Sequence, residues 1–195
     1  MLAAQELIDE RGSDVTTQEL AKAAGVALQT FYRYFASKDA LLLAIFEEKI
    51  ANGCEDLRLA AARFEQPVER LHFYVTAAVG ETGDGGDMER RFVTAEHFRL
   101  FQLFPEELTE ATRPFPELLI PELEAASRQG VLHPHDVEAD AWLVTRLVLV
   151  TFHHRSFVSA DAPADDPEAL WAFCVSALGG VPPAATGGEQ GRLVG

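Results

Sequence analysis

The stretch that most restricts what this chain can fold into runs from Thr16 to Leu43, TTQELAKAAGVALQTFYRYFASKDALLL. With Thr17 as N-cap, the apolar residues Leu20, Ala21 and Ala24 fall at helical spacing and stop at Gly25, which can take the positive φ of a tight inter-helix turn. Val26 is expected to plug that turn, and a second helix is expected over 27–34. Phe31 and Phe35 lie four apart, share one face and point inward. Leu28, Gln29, Thr30, Tyr32, Arg33 and Tyr34 are left on or near the surface. This is the layout of a helix-turn-helix, whose second helix enters the DNA major groove. Between Leu20 and Lys38 the chain has three cations, Lys22, Arg33 and Lys38, and no Asp or Glu, although the whole chain carries a formal charge of −15. A surface that approaches phosphates must be free of carboxylates. An ordinary helical hairpin with a solvated polar face fits the helix–Gly–helix pattern equally well.

The run GVALQTFYRYFASKDALLLAI resembles the DNA-binding signature of the TetR/AcrR family of bacterial transcriptional regulators. The shared features are the Gly-Val turn, the Thr-aromatic-Tyr-x-Tyr-Phe core, and Ser-Lys-Asp-Ala-Leu opening the next helix. The resemblance covers roughly Leu2 to Phe46. Beyond that only size and helical layout are similar. By position, it implies that Thr17 and Gln18 touch phosphate or a base edge, and that Leu28, Gln29 and Thr30 lie nearest the bases. It further implies that Tyr32, Tyr34 and Lys38 hold phosphates, with Arg33 able to reach either target. The side-chain chemistry agrees: Gln pairs with adenine, Leu packs on a thymine methyl, and Tyr hydroxyls and a Lys ammonium donate to phosphate. Two features depart from the family pattern. Ala27 stands where a capping Ser is common, and the chain opens almost inside the first helix without the usual basic leader.

With 195 residues and 48% hydrophobic content, the chain can build one large or two small domains with an ample core. No apolar run approaches the ~18 residues of a bilayer span and no signal peptide opens the chain. The two cysteines, Cys54 and Cys174, form no C-x-x-C and no disulfide framework, so a cytoplasmic location is expected. Residues 1–50 hold five Lys/Arg and eight Asp/Glu, net −3, whereas 51–195 hold eleven and twenty-three, net −12. The acidic excess thus lies mostly away from the proposed DNA face, which suits a site-specific binder rather than a nucleic-acid coat.

The rest reads as all-α. Residues 2–11 form a first helix with Ala4, Leu7 and Ile8 inward, ended by Gly12. Ser37 caps a long helix, with Asp39 in its first turn and Leu41, Leu42, Ile45 and Phe46 on its inner stripe, running on toward Phe64. A helix from Pro67 buries Leu71, Val75 and Val79 and breaks at GETGDGGD. The next, over 88–104, carries Phe92, Phe98, Phe101 and Phe104. Pro105, Pro114, Pro116 and Pro121 then predict a broken helical region ending at Gly130. The segment 136–158 is apolar around most of its circumference between Ala141 and Phe152, so it must be covered on all sides. With 166–178, expected to expose Leu170, Trp171, Phe173 and Cys174, it forms the candidate homodimer interface, 136–178; burial within one subunit is the alternative. From Gly179 the Gly and Pro content predicts a disordered tail, 179–195. The expected division is a helix-turn-helix head over 1–46, a helical effector-binding and dimerisation body over 47–178, and the tail.

Competing chemistry is weakly signalled. His133, His135 and Asp136 lie in a loop and His153 and His154 are adjacent on a helix, where side chains diverge by about 100°. There is no HExxH, G-x-S-x-G, P-loop or G-x-G-x-x-G, so no metal, cofactor or enzyme activity is expected. The aromatic set Phe73, Phe92, Phe98, Phe101, Phe104, Phe115 and Trp142, with His97, Arg99 and Arg146 nearby, could line an apolar cavity or form plain core. Phe73, Phe92, Ala95, Arg99, Leu103, Trp142 and Arg146 are the candidate effector contacts. The reading is a cytoplasmic homodimeric regulator of TetR type, a repressor that binds a palindromic double-stranded DNA operator and is released by a small hydrophobic effector. The alternatives are a helical ligand-binding protein without DNA binding, and a small metal-dependent enzyme using the His pairs.

Overall fold

The computed structural model describes residues 7, 15–80, 86–157 and 166–182, with the side chains of 86–89 excepted. Within them it has nine helices and no strand: α1 (Thr17–Ala23), α2 (Leu28–Tyr34), α3 (Lys38–Ala61), α4 (Pro67–Val79), α5 (Gly86–Leu103), α6 (Pro105–Ala111), α7 (Pro114–Arg128), α8 (Val137–Phe157) and α9 (Pro167–Ala177). The helix expected over 2–11 lies outside the described residues except for Leu7, which is helical and packs on the head core.

The cap of α1 is Thr16, one residue before the expected Thr17. A Glu three positions into the helix completes a capping box there: Glu19 N donates to Thr16 Oγ1 (3.3 Å) and Thr16 N to Glu19 Oε2 (2.8 Å). At the other end Val26 N donates to Ala21 O and Gly25 N to Lys22 O, with Gly25 at φ 67°, which makes a Schellman turn. Backbone hydrogen bonds hold that turn, so it needs no apolar plug. Val26 is accordingly 38% exposed, and Ala24 is exposed too. Ser37 caps α3 by accepting from Ala40 N (3.1 Å).

Prolines break the middle of the chain less than their number predicts. Pro105 and Pro114 open α6 and α7, and Pro116 falls in the first turn of α7, where the missing N–H has no intrahelical acceptor to lose. Only Pro121 is interior, and α7 runs through it, burying Phe115, Leu119, Leu123 and Ala126 on one side. The expected tail also begins too early. Gly180 N donates to Val175 O, and a Cβ on Gly180 would lie 2.6 Å from Leu132 Cδ2 and 2.9 Å from Val175 Cγ1, so this glycine is packed into the body. Residues 183–195 of the proposed tail lie outside the described residues.

Two apolar clusters form. The body core joins Leu71, Val75 and Val79 of α4, Leu119 and Leu123 of α7, Val144 and Val148 of α8, and Leu170, Trp171 and Cys174 of α9. The last three are therefore core residues, in contrast to the exposed surface expected of them; of that set only Phe173 is exposed, at 59%. The head cluster joins Val15, Leu20, Phe31, Leu41, Leu42, Ile45 and Phe46 to Leu100, Leu108 and Ala111, so the head core continues into α5 and α6.

Candidate DNA-binding face and effector cavity

Helix α2 buries one side chain, Phe31, with Phe35 half-buried beside it at 5.7 Å between ring centroids. Every other face of the helix is turned out: Leu28 (42% exposed), Gln29, Tyr32, Arg33 and Tyr34 (71%), with Thr30 half-buried. Ala27 leaves the N-terminus without a side-chain cap, so its first N–H groups stay open. The Arg33 guanidinium lies 5.0 Å over the Tyr34 ring. Gln18 is exposed at the start of α1, with Thr17 and Lys38 half-buried. The one carboxylate at the start of α3, Asp39, is held by Arg99 of α5 (Nη1–Oδ1 2.7 Å), whose guanidinium also binds the buried Glu96 (2.7 Å). Its charge is thereby offset at the edge of the face.

Behind the head the body forms two neighbouring cavities open to solvent, each of about 630 Å³. The first lies between α3, α5 and α8 and is lined by Leu42, Phe46, Ile50 and Leu57, with Phe92 and Phe152 opposite. The second lies between α5, α6 and α8, lined by Phe98, Phe101, Trp142, Arg146 and Phe157. His97, Thr112, Leu149 and His153 belong to both walls and form the partition. The two histidines are nearly buried and hydrogen-bonded, His153 Nε2 to His97 Nδ1 at 3.2 Å. Burial lowers the pKa of His97, and burial followed by repulsion from His97 lowers that of His153 to about 4, so both rings are neutral near pH 7.

Of the expected effector contacts, Phe92 lines the first cavity, and Trp142 and Arg146 the second. Four lie elsewhere. Ala95 and Leu103 are exposed, because they lie roughly 160° and 120° around α5 from His97. Arg99 is committed to Asp39 and Glu96, and Phe73 packs on Phe64 (5.5 Å) under the Arg63 guanidinium. The aromatic set is dispersed: Phe98 and Phe101 line a cavity, Phe104 packs on the head and Phe115 on the body core. Sequence reasoning missed His153, Leu149 and the α3 wall. A signal existed, since Thr145, His153 and Ser156 put polar atoms at inward positions of α8, and Thr94 and His97 do so three apart on α5. Among the described residues no group of three or more His, Cys, Asp or Glu is gathered to hold a metal ion, and no helix is long and apolar enough to cross a membrane.

The geometry is that of a helix-turn-helix protein whose third helix runs from the reading face into a hollow helical body. Residues 1–45 match the model of bacterial regulatory proteins of the tetR family. Over 70 residues the chain is 40% identical to the HTH-type transcriptional regulator BetI of Brucella anthropi, a match that covers 35% of this chain and spans only about a third (36%) of that relative. The fold agrees over nearly the full length with solved structures. Thermus thermophilus FadR, a TetR-family transcriptional repressor in complex with lauroyl-CoA, superposes with TM-score 0.71 at 25% identity, covering 96% of this chain and 97% of that one. The transcriptional regulator FadR of Bacillus subtilis, in complex with stearoyl-CoA, gives 0.64 at 20% identity over 89% and 95%. The first 45 residues thus carry the match to the tetR family of bacterial regulatory proteins, and the fold of the rest agrees with that of the FadR structures.

Proposed function

We propose that the protein is a homodimeric, sequence-specific transcriptional repressor of the cytoplasm, released from a palindromic double-stranded DNA operator by a small hydrophobic effector. The observation that carries this reading is that one helix, α3, runs from the end of the helix-turn-helix along the wall of the first cavity. The first turn of α3 holds Lys38 and Asp39 at the DNA face, and Leu42 to Ala60 of the same helix line the first cavity. An occupant of that cavity presses on the helix that sets the angle of the head. It shifts the DNA equilibrium by as much as its affinities for the two angles differ.

Gln29, Leu28 and Thr30 read bases in this proposal, while Tyr32, Tyr34 and Lys38 hold phosphates, with Arg33, Thr17 and Gln18 able to reach either. The exposed Leu143, Leu147 and Val150, spaced i, i+4, i+7 on α8, with Phe173 on α9, supply the apolar surface for a second subunit within 136–178. Leu149 points into the partition and has no part in that surface. Functionally the head is 1–46 and the body 47–178. The FadR of Thermus thermophilus, crystallised with lauroyl-CoA, makes long-chain acyl-CoAs one arm of an effector screen. A gel-shift assay on the DNA flanking the protein's own gene tests the reading. Retention of that DNA over random DNA, reversed by an apolar compound that also raises the melting temperature, is the expected result. Equal retention of both DNAs would refute it.

A further inference from the structure

The partition between the cavities carries a hydrogen-bond chain whose direction can be worked out from one end. Ser156 Oγ donates to Phe152 O (2.9 Å), and a carbonyl can only accept. Having given its single proton there, Ser156 Oγ receives the Thr94 hydroxyl (3.0 Å). Thr94 Oγ1 has then spent its own proton, so in its 3.0 Å contact with His153 Nδ1 the ring nitrogen is the donor. A neutral imidazole holds one proton, which leaves His153 Nε2 as a lone pair, and the 3.2 Å bond to His97 Nδ1 requires the proton on His97. The Nε2 of His97 is therefore a lone pair as well. Running the chain the other way would forfeit the Ser156–Phe152 bond and gain none.

His97 is 8% exposed, its Nε2 has no partner among the described residues, and the residue lines both cavities. Its ring stands beside Phe98 (6.0 Å) and Phe101 (6.4 Å), and the charged groups that share the walls are Lys49, Asp56 and Arg90 in the first cavity and Arg146 in the second. We infer that the effector site presents this fixed acceptor among its apolar walls and takes an apolar compound bearing a neutral hydrogen-bond donor, an alcohol or phenol hydroxyl, which donates to His97 Nε2. The inference rests on the cavities being the effector site. It adds the polar group by which they select. An ether or ester of equal size fills the same space but sets its oxygen lone pair against that of His97.

Binding of 4-hexylphenol and of its methyl ether to the full chain, by calorimetry, tests this. The phenol is expected to bind roughly fivefold to tenfold more tightly, the worth of one hydrogen bond. In His97→Phe the gap should close. In Ser156→Ala it should narrow or reverse, because Thr94 regains a proton to give to His153 and the chain can turn round. Long-range proton–nitrogen NMR on the unmodified protein reads the same point without a variant, with both rings expected as the Nδ1–H form. Equal binding of the two compounds, or an Nε2–H form on either ring, overturns this inference and leaves the repressor reading standing. Binding of neither compound overturns this inference and counts against the cavities as an effector site.

Discussion

Helix α2 buries a single side chain and turns most of its surface to solvent, with polar and aromatic groups, one aliphatic residue (Leu28) and no carboxylate. Helix α8 buries Ala141, Val144, Thr145, Val148, His153 and Ser156 and still leaves Leu143, Leu147 and Val150 exposed. Both helices have more surface than one subunit covers, but the chemistry left over differs. Hydroxyls, an amide and a guanidinium suit phosphates and base edges, where hydrogen bonds replace those lost to water. Three aliphatic side chains suit only another apolar face. Under the proposed function, the contrast gives α2 to nucleic acid and α8 to a second protein chain.

The largest effect should follow from breaking the α8 side of that contrast. Leu143→Glu with Leu147→Glu puts two charges on the exposed stripe without touching either cavity wall. The protein should become monomeric in sedimentation, and operator affinity should fall by roughly 10²–10⁴-fold as two linked half-site contacts become one. A double variant that stays dimeric with full affinity would move the interface elsewhere.

Next in size is a pH effect confined to the body. Burial holds His153 at about 4, well below its ordinary 6.5, so the unfolded chain binds a proton that the folded chain refuses between those values. Stability from this group is complete above about 6.5 and is lost as pH falls toward 4, by about 3 kcal/mol in all, with His97 acting in the same direction. Thermal unfolding of the protein and of His153→Gln across pH 4–7 should differ in slope, with the variant flatter. Parallel curves would mean that the partition does not require neutral rings.

The head was legible in the sequence and the cavity was not, and the reason is range. Gly25, Phe31 and Ser37 act on neighbours within four or five residues, so spacing alone locates the turn, the inward ring and the next cap. Even there the two misplacements were local: the capping box moved the cap to Thr16, and backbone bonds left Val26 outside. The cavity joins residues 42–60, 78, 90–97, 112 and 149–153, and no periodicity within one helix says which neighbour its inner face will meet. Ala95 is among the expected effector contacts, but the register of α5 puts Thr94 and His97 inward in its place.

On the α2 side the two kinds of DNA contact should separate. Lys38→Ala or Tyr32→Phe should weaken binding to every sequence alike and lower its salt dependence. Gln29→Ala should relax the preference at one base position, by roughly 1–3 kcal/mol for a bidentate contact. Operator variants at each base position, titrated against both proteins, distinguish the two. Equal losses on specific and random DNA for Gln29→Ala would remove it from base reading.

The smallest expected effect distinguishes the two regions through their glycines. Gly25 sits at φ 67° with nothing within 4 Å of where a Cβ would be, so conformation alone requires glycine there. Gly25→Ala should cost about 1 kcal/mol in the head, and Gly25→Asn less, since Asn tolerates the left-handed region. Gly180 has the opposite requirement. Its Cβ would press on Leu132 and Val175, so Ala costs packing energy in the body and the larger Asn costs more. Local opening of head and body, followed separately by hydrogen exchange, should therefore rank Ala below Asn in stability at position 25 and above it at position 180. The same ranking at both positions would show that space, not φ, governs the α1–α2 turn, and the Schellman account of how α2 is set against α1 would fail with it.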